Sequence, residues 1–220
     1  MPGGSTVGEK FLRKLFDEME ARYVISREER RQQLEEKYGA PVYFVHEILE
    51  CCNKDRMRAM FPEIAAAEMY SPRFVVGWLI EEGIKKVLGI ETEQVHWDRL
   101  VEVDGESVVV AGSADLVDGD SGKVIEIKYL TTLWKSPHEH HVLQLAMYLW
   151  GMGKRRGELW EISPEGVVSV EVEALSHEAA LEHIRRKMRG EKAPVWDWEC
   201  DFCPFEKFCP DSVSRRRCER

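Results

Sequence analysis

Residues 108–117 read VVVAGSADLV, and after a turn at residues 118–122 the chain continues as KVIEIK. The first segment is rich in β-branched residues and the second alternates apolar and polar residues, so the pattern predicts two antiparallel strands joined by a short turn. Side chains two positions apart on a strand share a face, so Glu126 and Lys128 point together. If the register sets Asp115 beside Glu126, the two carboxylates can share a divalent cation next to an ammonium group. A solvated hairpin with salt-bridged charges is the plainer alternative.

The composition is that of a globular protein with one substantial core: 220 residues, 44% hydrophobic and 32% charged. No apolar run approaches the length of a membrane span, and residues 1–5 lack the apolar stretch of a signal peptide, so we expect a cytoplasmic location without membrane contact. The net charge of −9 argues against a general nucleic-acid coat protein. Local basic clusters still permit phosphate binding; they lie at residues 154–156, 185–187 and 215–217.

The periodicity predicts helices, then three strands, a helix, two strands and a helix, which is an α/β layout with a mixed central sheet. The predicted helices cover residues 7–38, 42–58, 74–88, 138–150 and a segment from Ser176 to about residue 189. The predicted strands cover residues 94–103, 107–117, 123–129, 159–162 and 167–172. The charged run at residues 27–37 is expected to be a solvated helix face.

Further side chains are candidates for the same site. Glu81, on the helix before the sheet, is a candidate third carboxylate, and a solvent-facing Glu81–Glu82 pair is the alternative. Gln144 and Tyr148 are four positions apart and share a helix face, where they can hold Lys128 or a phosphate by hydrogen bonds. The alternative is a tyrosine with a buried ring and an exposed hydroxyl.

Three histidines, His138, His140 and His141, precede Gln144. We interpret them as a polar entry to the helix, with one histidine touching a phosphate, and a separate metal site is the less favoured alternative. Aromatic residues crowd the C-terminal cysteines, and we expect them to cover a small lobe rather than to stack on unpaired bases. These residues are Trp196, Trp198, Phe202, Phe205 and Phe208.

Six cysteines fall into two groups at opposite ends of the chain: Cys51 and Cys52, then Cys200, Cys203, Cys209 and Cys218. In a cytoplasmic protein this distribution predicts a metal centre that joins the two ends, rather than a disulfide framework. Three C-terminal thiolates and a fourth from the first pair suit either structural Zn²⁺ or an iron–sulfur cluster. Cys218 is expected to be free.

These motifs resemble a known family. Gly112-Ser-Ala-Asp115, Glu126-Ile-Lys128 and Gln144-Leu-Ala-Met-Tyr148 resemble the RecB-like motifs of the Asp…Glu-x-Lys nucleases. With one cysteine near the start and the run Cys200-x-x-Cys203-Pro-x-x-x-x-Cys209-Pro near the end, they resemble the CRISPR-associated Cas-four (Cas4) family. The resemblance covers residues from about 42 to 210.

The resemblance implies a RecB-like, restriction-endonuclease-like core with a mixed central sheet flanked by helices. It divides the chain into an N-terminal helical extension, a helical segment with the first cluster cysteine and the metal-ligand helix, the nuclease core, and a C-terminal iron–sulfur lobe. Their bounds are residues 1–40, 41–93, 94–190 and 191–220.

It also implies roles for the site residues. Asp115, Glu126 and the Ile127 backbone carbonyl would bind Mn²⁺ or Mg²⁺, with Glu81 where the family usually has a histidine, within Gly77-Trp-Leu-Ile-Glu81. This departure leaves the metal preference open, with a shift toward Mg²⁺ as one possibility. Lys128 would assist the attacking water, and Gln144 and Tyr148 would help to position Lys128 and the DNA: the catalytic set is Asp115, Glu126, Lys128, Gln144 and Tyr148.

For the cluster, the resemblance favours iron–sulfur over zinc, as [4Fe-4S] or [2Fe-2S]. Cys52 is the favoured fourth ligand beside Cys200, Cys203 and Cys209, because Cys52-Asn-Lys54 resembles the Cys-Pro-Arg of the family. Cys51 is the reserve candidate.

The activity implied is that of a metal-dependent DNA exonuclease on single-stranded ends, with the 5′→3′ direction typical of the family. It would trim spacer precursors together with the CRISPR adaptation integrase complex. A non-catalytic DNA-binding scaffold subunit and a RecB-like DNA-repair nuclease are the alternatives, and the sequence leaves the oligomeric state open.

Overall fold

A computed structural model describes residues 7–21, 25–68, 71–88, 95–191 and 193–213. The first half of the chain is mostly helical: α1 Val7–Glu20, α2 Ser26–Tyr38, β1 Val42–Phe44, α3 Val45–Leu49, α4 Asn53–Met60, α5 Pro62–Glu68 and α6 Pro72–Val87. The second half alternates strands and helices: β2 Val95–Val103, β3 Glu106–Ala114, β4 Leu116–Val117, β5 Val124–Tyr129, α7 Glu139–Gly151, β6 Arg156–Ser163, β7 Gly166–Glu173 and α8 His177–Met188. The predicted α/β fold is confirmed. Among the described residues, no helix is both long and apolar enough to cross a bilayer.

The strands form two mixed sheets, with orders β1-β3-β2 and β4-β5-β6-β7. Strand β1 runs parallel to β3 and β5 runs parallel to β6, while the other pairs are antiparallel. The chain passes from the first sheet to the second at Asp115, which separates β3 from β4. Helix α7 packs on strands of both sheets and contributes to two core clusters: Met147, Tyr148 and Trp150 belong to one, and Leu145, Ala146 and Leu149 to the other.

The strand register brings the charged residues of the opening motif together. In the β4–β5 pair Leu116 faces Ile125 and Val117 faces Val124, so one step further along the ladder sets Asp115 opposite Glu126. On the other side of β5, Lys128 pairs with Glu161 of β6. The middle of the second sheet therefore carries charged side chains on a largely buried strand.

Gly112 has a steric role in its motif. A Cβ atom at Gly112 would lie 2.7 Å from the indole of Trp97, and one at Gly151 of α7 would lie 2.1 Å from the same ring. Both separations are too short for any side chain, so the two glycines let Trp97 fill the space between β3 and α7.

The predicted helix over residues 42–58 is wrong in its first part. Val42 and Phe44 are buried in β1, which pairs in parallel with β3, and the chain becomes helical only at Val45. The alternation of Val-Tyr-Phe fits a strand with one buried face, and β3 offers a partner that local periodicity does not reveal. The predicted helix over residues 7–38 is likewise two helices, and residues 22–24 lie outside the described residues.

The sequence predicts that the charged run at residues 27–37 is a solvated helix face. In the structure, two of its arginines instead bind backbone carbonyls of the first sheet. Arg30 donates hydrogen bonds to the backbone carbonyls of Trp97, at 2.6 Å, and Gly112, at 3.1 Å. Arg31 donates to the carbonyl of Val42 at 2.6 Å. Helix α2 is thus fixed to the first sheet by guanidinium groups that satisfy strand carbonyls.

Candidate active site

Asp115 and Glu126 lie together inside the protein. Asp115 is 6% exposed and its Oδ2 accepts the backbone N–H of Ile127 at 2.8 Å, which ties the bend between β3 and β4 to strand β5. Glu126, on β5, is 1% exposed. Two carboxylates that are this deeply buried are costly to keep ionised unless a positive charge lies nearby.

Lys128 supplies one such charge. Its Nζ lies 2.6 Å from Glu126 Oε1, which also accepts a hydrogen bond from Gln144 Nε2 at 3.2 Å. Gln144 Nε2 contacts the Tyr148 hydroxyl at 2.8 Å as well. The sequence predicts that Gln144 and Tyr148 hold Lys128 or a phosphate. In the structure Gln144 is bonded to Glu126 and Tyr148, and the ring of Tyr148 is buried.

Glu81 extends the acidic centre from α6, which packs against β5. Its carboxylate pairs with Lys85 one turn further along the helix, and its charge contributes to raising the pKa of both Asp115 and Glu126. Glu81 is therefore within electrostatic reach of both strand carboxylates, although the ligand atoms of all three do not lie within 4.8 Å of one another.

The electrostatics of the centre are unbalanced. Burial raises the pKa of Asp115 well above its usual value, the charges of Glu126 and Glu81 add to this, and Lys128 opposes it. Burial also raises the pKa of Glu126, again against Lys128. Burial acts to lower the pKa of Lys128, but the charges of Glu126 and Asp115 outweigh it and raise that pKa. Lys128 therefore stays protonated, and its single positive charge faces the negative charges of several carboxylates.

The donor set fits a hard divalent cation. Glu126 Oε2 is buried and has no hydrogen-bond partner within the described part of the chain. A buried oxygen in that state is costly, and a bound ion would satisfy it. Carboxylate and carbonyl oxygens are the ligands that Mg²⁺ and Mn²⁺ prefer, so Asp115, Glu126 and Glu81 have the right chemistry for such an ion.

We expect the Asp115→Asn variant to be more stable than the wild type when both are free of metal at pH 8. Because the folded pKa of Asp115 is raised, its contribution to stability is full below the unfolded pKa and is lost as pH rises through the folded pKa. Asparagine carries no charge, so it avoids the free-energy cost of a buried, ionised Asp115. Its introduction should raise Tm by roughly 2–4 °C, the shift that about 1 kcal/mol produces in a domain of this size. Thermal unfolding with and without Mg²⁺ checks this: Mg²⁺ should raise Tm of the wild type only. A variant that is less stable at pH 8, or still stabilised by Mg²⁺, would contradict the assignment.

Three C-terminal cysteines and one cysteine from the first half of the chain line the same cavity. Its cysteine lining is Cys51, Cys200, Cys203 and Cys209. Glu199 fixes the two parts together, because its carboxylate accepts the Cys51 N–H at 2.7 Å and the Val195 N–H at 3.0 Å. The ring of Phe205 is fully buried against Met57 of α4. The C-terminal segment is therefore packed on the helical region near the first cysteines.

Cys52 is not among these cysteines. Its thiol donates to the carbonyl of Gly190 at 3.1 Å and lines a different cavity, beside Lys187 and Leu143. The preference for Cys52 as the fourth ligand thus conflicts with the structure, which places the reserve candidate Cys51 with the other three. Cys51 and Cys52 are consecutive in the turn that leads into α4, so their side chains leave the backbone in different directions. Cys218 lies outside the described residues.

The three histidines lie beside a residue that sequence reasoning missed. His138 and His141 both contact Glu161, which pairs with Lys128 across the β5–β6 ladder. Within the described ranges, these are the three metal-ligating side chains whose ligand atoms all lie within 4.8 Å of one another. The sequence does mark Glu161 as unusual. It stands on the same strand face as buried Leu159, where the alternation predicts an apolar residue.

The aromatic residues of the C-terminal segment divide into two kinds. Phe205 is buried, as expected for a residue that covers a small lobe. Trp198 and Phe202 are partly or largely exposed and contact each other edge to face, and the ring of His140 lies 4.7 Å from that of Trp198.

Comparison with known proteins shows the family to which the chain belongs. The family model described as "PD-(D/E)XK nuclease superfamily" matches residues 9–210. A "CRISPR-associated exonuclease Cas4" from Saccharolobus solfataricus is 30% identical over 179 residues, which are 78% of this chain and 88% of that protein. The structure titled "Crystal structure of SSO0001" superposes with a TM-score of 0.80 over 95% of this chain and 98% of the other, at 24% identity, and so shares its fold. The chain therefore belongs to the PD-(D/E)XK nuclease superfamily and, within it, to the Cas4 family.

Proposed function

We propose that this protein is a metal-dependent deoxyribonuclease that degrades DNA from single-stranded ends. The observation that carries the proposal is the buried pair of Asp115 and Glu126 with Lys128 at 2.6 Å from Glu126 and an unsatisfied oxygen, Glu126 Oε2. A binding module has no need of such a pair, because buried carboxylates repel the phosphates of DNA unless a cation lies between them. The name of the Saccharolobus solfataricus relative supports the exonuclease assignment.

Asp115, Glu126, Glu81 and the Ile127 carbonyl would hold the ion, Mn²⁺ or Mg²⁺. When bound, it supplies Lewis-acid polarisation of the phosphodiester and lowers the pKa of a coordinated water. Glu81 gives this chain an all-oxygen ligand set where the family usually has a histidine. Oxygen ligands suit Mg²⁺ as well as Mn²⁺, so we expect both ions to support cleavage.

Lys128 acts as a fixed positive charge. Its pKa is raised, so the ammonium group keeps its proton at neutral pH and is not a general base. From its place beside Glu126 it can donate hydrogen bonds to the attacking water or to a phosphate oxygen as negative charge develops there. Gln144 and Tyr148 keep Glu126 oriented, since Gln144 binds both the carboxylate and the Tyr148 hydroxyl.

The cysteine cavity would hold an iron–sulfur cluster, with Cys51 as the N-terminal ligand. The other three ligands are Cys200, Cys203 and Cys209. Four thiolates also suit a structural Zn²⁺, and the likeness to the Cas4 family is what favours an iron–sulfur cluster. The cluster would tie residues 193–213 to the helical region.

The biological setting is proposed from the resemblance to the family. We propose that the exonuclease trims spacer precursors in the 5′→3′ direction during CRISPR adaptation, in contact with the integrase complex. The CRISPR-associated relative supports this setting. A DNA-repair nuclease and a scaffold subunit without activity are the outcomes that the following test separates from it.

The test is a cleavage assay on single-stranded DNA labelled at either end, with circular single strands and blunt duplexes as controls. With Mn²⁺ or Mg²⁺ we expect progressive shortening of linear single strands, loss of the 5′ label first, and no cleavage in a chelator. Tight DNA binding without cleavage under any metal would overturn the nuclease assignment. Rapid cutting of the circular strand would replace exonuclease by endonuclease.

A further inference from the structure

A compact group of nitrogen and oxygen donors lies outside the acidic centre. The Nδ1 atom of His141 is 2.6 Å from Glu161 Oε1, and the Nδ1 atom of His138 is 3.2 Å from both carboxylate oxygens of Glu161. The backbone N–H of His138 adds a fourth contact, donating to Glu161 Oε1 at 2.9 Å. Both imidazoles thus present the same nitrogen to one carboxylate.

The position of Glu161 makes this arrangement unusual. The side chain is 0% exposed and stands on the inward face of β6, where its neighbour Leu159 is part of the core. A carboxylate in such a place needs compensation, and Lys128, its partner across the ladder, is already paired with Glu126. The compensation for Glu161 comes from the His138 N–H and the two imidazoles.

The spacing of the donors matches the coordination of one ion. Two ligand atoms about 2.1 Å from a metal and at right angles to each other are about 3 Å apart, by the usual metal–nitrogen and metal–oxygen lengths. The nitrogen–oxygen distances in the group are 2.6 to 3.2 Å. Two histidines and one carboxylate on one face of an octahedral ion leave the opposite positions open for water or a phosphate.

We propose that His138, His141 and Glu161 form a second divalent metal site, which takes a transition ion such as Mn²⁺, Fe²⁺, Co²⁺ or Zn²⁺ in preference to Mg²⁺. Imidazole nitrogen binds these ions well, whereas Mg²⁺ prefers oxygen ligands. The site is distinct from the Asp115–Glu126 centre, because its donors are other side chains, on β6 and at the start of α7. Binding here does not depend on the proposed nuclease function.

The protonation states agree with the geometry. Burial, reinforced by the charge of Lys128, lowers the pKa of His141 to about 3, so its ring is neutral at physiological pH. Burial acts to raise the pKa of Glu161, but the Ser136 hydroxyl, the His138 backbone N–H and the two imidazoles outweigh it and lower that pKa to about 2. The ring is thus uncharged and the carboxylate ionised, and a metal ion would take the place of the hydrogen that Nδ1 shares with the carboxylate.

The rival role for Glu161 is purely structural: it caps the start of α7 through the His138 N–H and orients the two rings. Metal counting separates the two roles. Free Mn²⁺ is measured by electron paramagnetic resonance during titration of the holoprotein, with and without a large excess of Mg²⁺. We expect two bound Mn²⁺ ions per chain, of which Mg²⁺ displaces the one at Asp115–Glu126 and leaves the other.

Variants test whether the Mn²⁺ ion that Mg²⁺ does not displace is bound at the histidine site. His138→Ala and Glu161→Gln should lose the Mg²⁺-resistant Mn²⁺, while His140→Ala, the matched control at a neighbouring histidine, should keep it. His138 is partly exposed, so its replacement by alanine keeps the test valid if Glu161→Gln fails to fold. No Mg²⁺-resistant Mn²⁺ in the wild type, or the same resistant binding in His138→Ala as in the wild type, would overturn the proposal and leave Glu161 as a helix cap.

Discussion

Replacing Lys128 by methionine is expected to reduce the rate of DNA cleavage by about 100- to 1,000-fold at saturating metal, the loss seen when a charge-stabilising group is removed from an active site. Methionine keeps most of the buried aliphatic volume, so the fold should survive. The loss follows from the ammonium group itself, the positive charge beside Glu126 at 2.6 Å.

The control for this variant lies on the same hairpin. Lys123→Met removes an ammonium group that pairs with Glu158 at 2.5 Å near the surface, and it should cleave DNA as the wild type does. Because Lys128 lowers the pKa of Asp115 and Glu126, its removal should also weaken metal binding, so single-turnover rates are compared over a range of Mn²⁺ concentrations. A Lys128→Met enzyme within about tenfold of the wild type at saturating Mn²⁺ would refute the role given to this lysine.

The Cys51→Ser and Cys52→Ser variants are expected to behave oppositely, although they make the same change at adjacent positions. Cys51→Ser should lose the visible absorption and most of the iron of the protein, and should lower Tm by on the order of 5–10 °C, equivalent to about 2–3 kcal/mol. Cys52→Ser should keep both, because its hydroxyl can still donate to the Gly190 carbonyl.

Protein purified without air, followed by iron and zinc analysis, absorption and thermal unfolding, provides the measurement for both variants. Loss of the cluster in Cys52→Ser but not in Cys51→Ser would reverse the assignment made from the cavity. A colourless wild type that contains one zinc ion per chain would replace the cluster by a structural zinc site.

The hairpin at the centre of the fold is predictable from the sequence because its information is local. Alternation and the turn at residues 118–122 predict that β4 and β5 pair in antiparallel fashion. The sequence leaves their register open, and the register in the structure sets Asp115 opposite Glu126. Helix α7 is predictable for the same reason, since its apolar spacing places Leu145 and Leu149 in the core.

The features that escape sequence reasoning depend on contacts between distant segments. Strand β1 exists because β3, more than sixty residues later, offers it a ladder, and Arg30 is partly buried because strand carbonyls lie within its reach. The choice of Cys51 over Cys52 depends on the direction of side chains in one turn, which spacing does not give. Glu161 was detectable as a charge on an inward strand face, but its histidine partners come from the start of α7.

The position of Mn²⁺ in crystals of the wild-type protein, located by anomalous diffraction, tests whether Asp115 and Glu126 share one ion. We expect a peak about 2.2 Å from carboxylate oxygens of both residues, within reach of the Ile127 carbonyl, and its loss in Asp115→Ala. A protein that cleaves DNA in the same Mn²⁺ buffer, yet shows no ion between Asp115 and Glu126, would contradict this expectation.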